Sequence, residues 1–176
     1  MSVLRGLEIL TSHEGASDHV RLTYDQRLLR RKTLTTNKGE AIHVDLARTT
    51  SLDAGNAIKL EDGRVIAIIA ASEDLYAVSG PQITRYAWHI GNRHTPCQIE
   101  ADRLVIQRDP VLRSMLEGLG ASVWEIEAPF TPEGGAYGHG RTMGHDHGQP
   151  ARKEHDHDHA HDHSHGHDTA HGHAHD

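Results

Sequence analysis

Residues 73–94 read EDLYAVSGPQITRYAWHIGNRH and predict a strand followed by a helix. Leu75 to Val78 form an apolar run of strand length. Ser79-Gly80-Pro81 then predicts the turn that opens a helix, because proline suits a first helical turn. Gly91 is expected to end this helix. The apolar residues between the turn and Gly91 recur at helical spacing, and they are Ile83, Tyr86, Ala87 and Ile90.

The segment that follows predicts two more strands, a second helix and a final strand. The two strands cover 97–100 and 103–107, and the final strand covers 122–127. Asp109 is expected to cap the second helix, with Pro110 at its first position, because a carboxylate there accepts hydrogen bonds from the helix N-terminus. The order βαββαβ predicts a ferredoxin-like arrangement.

The N-terminal 72 residues predict a small all-β domain, either a sandwich or a barrel. Apolar and polar residues alternate around Val20 and around Val44, and residues 65–71 are apolar enough for a buried strand. His43 is expected on the solvated side of its strand. A basic run is interpreted as a solvated face, with docking of a partner as the alternative, and it comprises Arg27, Arg30, Arg31 and Lys32.

The chain is therefore predicted to be an α+β protein in three segments. They are a small N-terminal all-β domain at 1–72, a ferredoxin-like βαββαβ domain at 73–134 and a disordered His-rich tail at 135–176. Residues 129–138 contain two prolines and three glycines and are interpreted as the hinge to the tail.

Composition predicts a cytoplasmic protein that binds neither nucleic acid nor membrane. The formal net charge is −7, and the body has no basic stripe of the kind that binds nucleic acid. A single cysteine excludes an intrachain disulfide and suits a reducing compartment. The start, MSVLRGLEIL, has too short an apolar run for a signal peptide, and no stretch approaches membrane-spanning length.

The segment from His139 to Asp176 carries 13 of the 18 histidines. Between His155 and His167 a histidine occupies every second position, which fits no amphipathic helix. The spacing would line one face of a strand, but nothing apolar backs it. A solvated coil is therefore predicted.

Imidazole is the side chain preferred by divalent zinc, copper and nickel, so this tail is interpreted as a metal collector of low selectivity. Interleaved aspartates add negative potential and oxygen ligands. Two alternatives remain: an expression tag, although tags are usually uninterrupted histidine runs, and a low-complexity tail that binds metal only incidentally.

In the folded part, His94 follows the first predicted helix in the loop Gly91-Asn92-Arg93-His94. By itself such a histidine is more often a surface or capping residue than a metal ligand. His89 is expected off the apolar face and in a structural role. Cys97 could add a thiolate, but a small buried cysteine at the start of an apolar strand is the favoured interpretation.

These residues resemble the UreE-type urease accessory proteins, the nickel metallochaperones of urease maturation. The resemblance covers nearly all of the folded part, and the Gly-Asn-Arg-His loop is its most specific element. It implies an N-terminal β domain, which would dock a partner or peptide, and a ferredoxin-like domain that binds metal and forms a homodimer. The matching stretches include Tyr24-Asp25-Gln26-Arg27, Leu52-Asp53-Ala54-Gly55, Tyr86-Ala87-Trp88-His89-Ile90-Gly91-Asn92-Arg93-His94, Asp109-Pro110-Val111-Leu112, Leu119-Gly120-Ala121 and Gly135-Ala136-Tyr137-Gly138-His139.

The resemblance implies that His94 is the central metal ligand and meets the same residue of a second chain across a two-fold axis. Nickel(II) is implied as the cargo, and zinc(II) or copper(II) can bind the same sites. The implied partners are the urease accessory GTPase and the apo-urease complex. Histidines of the tail are the additional candidate ligands: His139, His145, His147, His155, His157, His159, His161, His163, His165, His167, His171, His173 and His175.

The leading hypothesis is a non-catalytic metallochaperone that delivers nickel to apo-urease. The alternative from another class is a cytosolic nickel or zinc buffer or storage protein, with the tail as reservoir. A zinc hydrolase is disfavoured, because it needs three fixed protein ligands and an open position, and the folded part offers little beyond His94 at ligand spacing.

Overall fold

The computed structural model describes residues 3–134, and the predictions for the tail at 135–176 lie outside this range. Within it are ten strands, one short 3-10 helix and two α-helices. The strands are β1 (Leu4–Leu10), β2 (Asp18–Leu22), β3 (Leu28–Thr35), β4 (Ala41–Ser51), β5 (Ala57–Leu60), β6 (Val65–Ala70), β7 (Ser72–Ser79), β8 (Cys97–Ile99), β9 (Leu104–Gln107) and β10 (Ser122–Pro129). The 3-10 helix is Asp25–Arg27, and the α-helices are α1 (Ile83–Asn92) and α2 (Pro110–Gly118).

The first six strands form one sheet in the order β2-β6-β5-β1-β4-β3. The pairs β1–β4 and β2–β6 are parallel, and the other neighbouring pairs of this sheet are antiparallel. The predicted β character of this region is confirmed. The sequence of strand β3, LLRRKTLT, indicates only a charge run, because just Leu29 and Leu34 of this strand are buried.

The remaining four strands form a second sheet in the order β10-β7-β9-β8, with every neighbouring pair antiparallel. Together with α1 after β7 and α2 after β9, this is the predicted ferredoxin-like arrangement. Alternate residues of the central strands face opposite sides. Tyr76 and Ile106 pack with the two helices, whereas Leu75 and Val105 pack on the other face. The boundaries proposed at residues 72 and 134 stay a prediction.

Helix α2 begins as its sequence predicts. The carboxylate of Asp109 accepts hydrogen bonds from the backbone N–H groups of Val111 and Leu112, at 2.8 Å and 3.1 Å. Pro110 occupies the first helical position, where a backbone N–H would have no acceptor within the helix, so its absence costs nothing. These two local features explain why the start of α2 is readable without tertiary information.

Helix α1 differs from its prediction at both ends. Pro81 lies in the turn before the helix, which begins at Ile83. The helix also continues through Gly91 to Asn92, so the expectation that Gly91 ends it is wrong. Glycine weakens a helix by only about 1 kcal/mol. Burial of Ile90 one residue earlier favours continuation of the turn.

Arg27 joins the N-terminal part of the chain to its C-terminal part. Its side chain is 3% exposed and donates hydrogen bonds to the carbonyl oxygens of Leu22 at 3.3 Å and Phe130 at 2.6 Å. The guanidinium also lies 5.7 Å from the centre of the Tyr24 ring. The expectation that Arg27 belongs to an exposed basic face is therefore wrong, because the 3-10 helix turns it inward. The other three residues of the basic run are exposed.

No helix within residues 3–134 is both long enough and apolar enough to cross a membrane.

Candidate metal centre

His94 lies in an exposed loop two residues beyond the end of α1. Its backbone φ is +56°, in the left-handed region that strongly favours glycine. Among residues 3–134 it is the only residue other than glycine with a positive φ. The N–H of His94 donates to the Gly91 carbonyl at 2.9 Å, and the N–H of Thr95 reaches the Ile90 carbonyl at 3.4 Å. These two bonds form a Schellman motif, the usual left-handed end of a helix.

Helix α2 ends in the same motif but with the expected residue. Gly120 has a φ of +90° and donates to the Glu117 carbonyl at 3.0 Å. Ala121 donates to the Leu116 carbonyl at 3.0 Å. Helix α1 thus has a histidine at the position where α2 has a glycine. Because the left-handed conformation costs an L-residue about 1 kcal/mol or more, the backbone at His94 adopts a conformation that its side chain disfavours.

The surface beside His94 offers both polar and apolar groups. The Nε of Arg93 lies 3.0 Å from the sulfur of Met115 and ties the end of α1 to α2. Trp88, on the second half of α1, has 62% of its surface exposed. Half-buried His89 packs edge to face on Trp88, with 4.9 Å between ring centres. The structural role expected for His89 stays a prediction.

Cys97 packs against the core on the helical face of the second sheet and is half-buried. Burial raises the pKa of its thiol to about 11, and the negative charge of Glu133 adds to the rise. At neutral pH the group is therefore a thiol and not a thiolate, which disfavours it as a ready-made metal ligand. The interpretation of Cys97 as a small buried cysteine stays a prediction, because the residue is only half-buried.

Residues 3–134 contain no group of three or more histidine, cysteine, aspartate or glutamate side chains placed to hold one metal ion. His94 is therefore not joined by Cys97 or His89 in a preformed site within this range. A single imidazole does not complete the four-coordinate or higher shell that divalent transition metals adopt in proteins. The other candidate ligands, His139 to His175, lie outside the described residues.

One feature near this loop does not follow from the sequence pattern. The run at 129–138 was interpreted as a hinge, but its first part is held in place. Phe130 is completely buried. The backbone N–H of Thr131 donates to the Gln98 side-chain oxygen at 2.7 Å, and the N–H of Glu133 donates to the Cys97 carbonyl at 2.9 Å. The large apolar residue Phe130, which lies between Pro129 and Pro132, was the available signal.

A six-stranded β region, a ferredoxin-like half and an exposed, strained histidine together define a two-part α+β protein with a candidate metal-binding loop. The sequence model of the UreE urease accessory protein N-terminal domain matches residues 2–71, and that of the C-terminal domain matches residues 68–176. The chain belongs to the UreE family of urease accessory proteins.

Individual relatives agree with this family. The urease accessory protein UreE of Ruegeria pomeroyi is 64% identical over 132 residues, which cover 75% of this chain and 89% of the relative. That of Cereibacter sphaeroides is 64% identical over 133 residues, covering 76% of this chain and 72% of the relative. That of Paracoccus denitrificans is 55% identical over 135 residues, covering 76% and 86%.

Proposed function

We propose that this protein is a cytoplasmic nickel metallochaperone that collects nickel(II) and delivers it to apo-urease through the accessory complex containing the urease GTPase. The observation that carries the proposal is His94, an exposed imidazole kept in a left-handed loop where glycine is preferred. Membership of the urease accessory family supports apo-urease as the proposed acceptor of the nickel. The role is one of binding and transfer, without covalent chemistry.

A homodimer formed through residues 73–134 is part of the proposal. Two-fold symmetry brings the same surface of both chains together, so a residue near the axis meets its own copy. A pair of His94 imidazoles would then hold one nickel ion jointly, which one chain cannot do within residues 3–134. Exposed Trp88 on the neighbouring helix offers apolar surface of the kind that dimer interfaces bury.

The tail supplies the remaining ligands in this proposal. Its 13 histidines, from His139 to His175, collect nickel weakly and pass it to the His94 pair, with His139 and the pair His145 and His147 completing the shell. A site completed by ligands from a coil exchanges more readily than a closed cage, so it releases its cargo to an acceptor. Zinc(II) and copper(II) bind the same imidazoles.

The second candidate function is a cytosolic nickel or zinc buffer. The number of histidines in the tail favours it, because capacity alone needs many weak ligands and no special loop. The strained position of His94 favours the chaperone instead, since a reservoir gains nothing from one unfavourable backbone position in the folded part.

Activation of urease at limiting nickel distinguishes the two functions. A reconstituted mixture of apo-urease and its accessory proteins is supplied with nickel below the total capacity of the tail. The chaperone raises urease activity above the mixture without it, and His94→Ala removes that gain. His43→Ala is the matched control, because His43 is a half-buried histidine of the N-terminal sheet with its ring nitrogen 3.2 Å from the Thr33 hydroxyl. Equal activation by wild type and His94→Ala contradicts the proposed role of His94. If the wild type gives no activation, only the buffer function remains.

A further inference from the structure

The two sheets are connected along the chain by a single residue. Within residues 3–134 no strand of one sheet pairs with a strand of the other, and each sheet has its own apolar core. Strand β6 ends at Ala70 and β7 begins at Ser72, so Ala71 alone links them. Residues between two structural elements can absorb the dihedral changes of a domain rotation, so Ala71 is a natural pivot between the two sheets.

Arg27 fastens the two sheets beside this pivot. Its buried guanidinium donates to the Phe130 carbonyl at 2.6 Å and to the Leu22 carbonyl at 3.3 Å. The Leu22 carbonyl also accepts the N–H of Ala71 at 2.9 Å, so the guanidinium and the pivot meet at one oxygen. The residue before Phe130 pairs with Ser72, the first residue of β7. The Arg27–Phe130 hydrogen bond, named the latch, therefore joins the sheets within a few residues of the pivot.

Two further contacts support the latch. The rings of Tyr24 and Phe130 are buried and meet edge to face, with 5.4 Å between their centres. The backbone N–H of Tyr24 donates to the half-buried Glu73 carboxylate at 2.7 Å. Tyr24 is the one buried apolar side chain that the N-terminal half adds to this cluster, whose other buried members are Leu75, Val105 and Phe130. Polar contacts are therefore a large part of the attachment between the two halves.

The latch is also the origin of residues 130–133, named the strap, which reach β8 at the edge of the second sheet. The backbone N–H of Thr131 donates to the Gln98 side-chain oxygen at 2.7 Å. The N–H of Glu133 donates to the Cys97 carbonyl at 2.9 Å. Cys97 follows the last residue of the candidate metal loop by three positions. The latch therefore holds the first residue of a segment that ends beside that loop.

We infer that the Arg27–Phe130 hydrogen bond is a latch that couples the orientation of the N-terminal half to the strap. While the latch is closed, both sheets move as one body and the strap stays on β8. When the latch opens, the N-terminal half turns about Ala71 and the strap leaves β8 in the same event, because Phe130 is part of both. A partner that docks on the N-terminal half and turns it would thereby loosen the structure beside the metal loop. That consequence rests on the proposed function, whereas the latch itself does not.

Hydrogen exchange of the full-length, metal-free chain, followed by mass spectrometry, tests the coupling. The N–H groups of Tyr24 and Ala71 report the joint between the halves, and those of Thr131 and Glu133 report the strap. Arg27→Met removes a charged donor, and its loss is expected to raise exchange in both segments about 10- to 100-fold. The two rises should be equal, because one opening event exposes both segments. Both segments should also exchange faster than the amides of β9, which require global unfolding.

Two matched variants separate the latch from its surroundings. Arg30→Met removes an exposed cation of the same basic run and is expected to leave both segments unchanged. Gln98→Leu removes the acceptor of the Thr131 N–H and is expected to raise exchange in the strap alone. Modification of Cys97, the only cysteine of the chain, gives a second readout. It should become faster in Arg27→Met and in Gln98→Leu but not in Arg30→Met.

A milder variant covers the case in which Arg27→Met does not fold. Arg27→Lys keeps the charge, but a single ammonium cannot present the guanidinium fork to the carbonyls of Leu22 and Phe130 together. A smaller rise in exchange is expected, again equal in the joint and the strap. Circular dichroism of each variant establishes that it is folded.

The other outcomes overturn the inference. Unchanged exchange in the Arg27 variants means that the guanidinium does not hold the joint, and a rise in the joint alone means that the strap is held independently. Equal rises in both segments of Gln98→Leu assign the latch to the strap and not to Arg27. Protection of both segments equal to that of β9 shows that only global unfolding opens them. No measurement uses nickel, so failure of the latch is distinguishable from failure of the proposed function, which urease activation reports.

Discussion

Replacing His94 by glycine is expected to stabilise the protein while removing the candidate metal ligand. The backbone φ of +56° disfavours any L-residue by about 1–2 kcal/mol, and glycine escapes this penalty. Part of the gain is offset because glycine has more conformational freedom in the unfolded chain. A net increase of about 1 kcal/mol in the free energy of unfolding is expected. For a folded part of this size that corresponds to a rise in Tm of about 4 °C.

Thermal unfolding of the metal-free protein, followed by circular dichroism with a chelator present, measures this change. His94→Ala is the essential comparison. It removes the same imidazole but keeps a side chain at the strained position, so its Tm is expected to lie about 4 °C below that of His94→Gly. The difference between the glycine and alanine variants isolates the backbone contribution from any contact of the ring. Calorimetric titration with nickel should show the same loss of the His94-dependent step in both.

Gly120 provides the reverse exchange in a matched motif. Its φ is +90°, and an added Cβ would come no closer than 3.8 Å to the Tyr86 hydroxyl, which is ordinary contact. Gly120→Ala should therefore lower the Tm by about 4 °C through backbone strain alone. Equal Tm values for His94→Gly and His94→Ala, alongside the expected fall for Gly120→Ala, would refute the claim that His94 is held against its conformational preference.

Three further predictions concern the tail and the joint between the two parts of the chain. Truncation after Tyr137 should leave the Tm almost unchanged, while the nickel stoichiometry measured by equilibrium dialysis falls to about one ion per dimer or fewer. A large fall in Tm would contradict the coil predicted from composition. Nickel capacity of the intact chain should collapse between about pH 7 and pH 5.5, because protonation of imidazoles with a pKa near 6.5 removes their ligand nitrogens; a capacity that stays flat to pH 5.5 would assign binding to carboxylates. Arg27→Met should lower the free energy of unfolding in urea by about 2–3 kcal/mol, because it removes the guanidinium donor to the Phe130 carbonyl and one of the two donors to the Leu22 carbonyl, which keeps the Ala71 N–H. An unchanged midpoint would show that water replaces the guanidinium.

The part of the fold that follows from local sequence was predictable. Helix α2 begins where Asp109 and Pro110 place it, since both act on groups within three residues of themselves. The alternating and helical spacing of apolar residues from 75 to 127 specified the βαββαβ order, because each element must bury one face. The same reasoning identified the Gly-Asn-Arg-His loop, but by itself it did not distinguish a ligand from a surface histidine.

What local sequence did not reveal depends on groups far apart in the chain. Arg27 was counted with an exposed basic run, yet it is buried because the Phe130 carbonyl, 103 residues away, accepts its hydrogen bond. The sequence of residues 130–133 predicts part of a hinge, because the groups that hold these residues, among them Gln98, lie on other elements. The left-handed backbone of His94 was hidden because Gly91 looked like the natural end of α1.

The amino-acid sequence by itself therefore determined the order and kind of the elements and the capping of α2, since periodicity and caps act over a few residues. Metal binding by the tail stays a prediction from composition. Only the tertiary structure decided that His94 is held in a strained cap and that the chain after Phe130 is fastened beside Cys97. Backbone strain persists only where surrounding contacts over-determine it, and hydrogen bonds between distant segments exist only once those segments have packed.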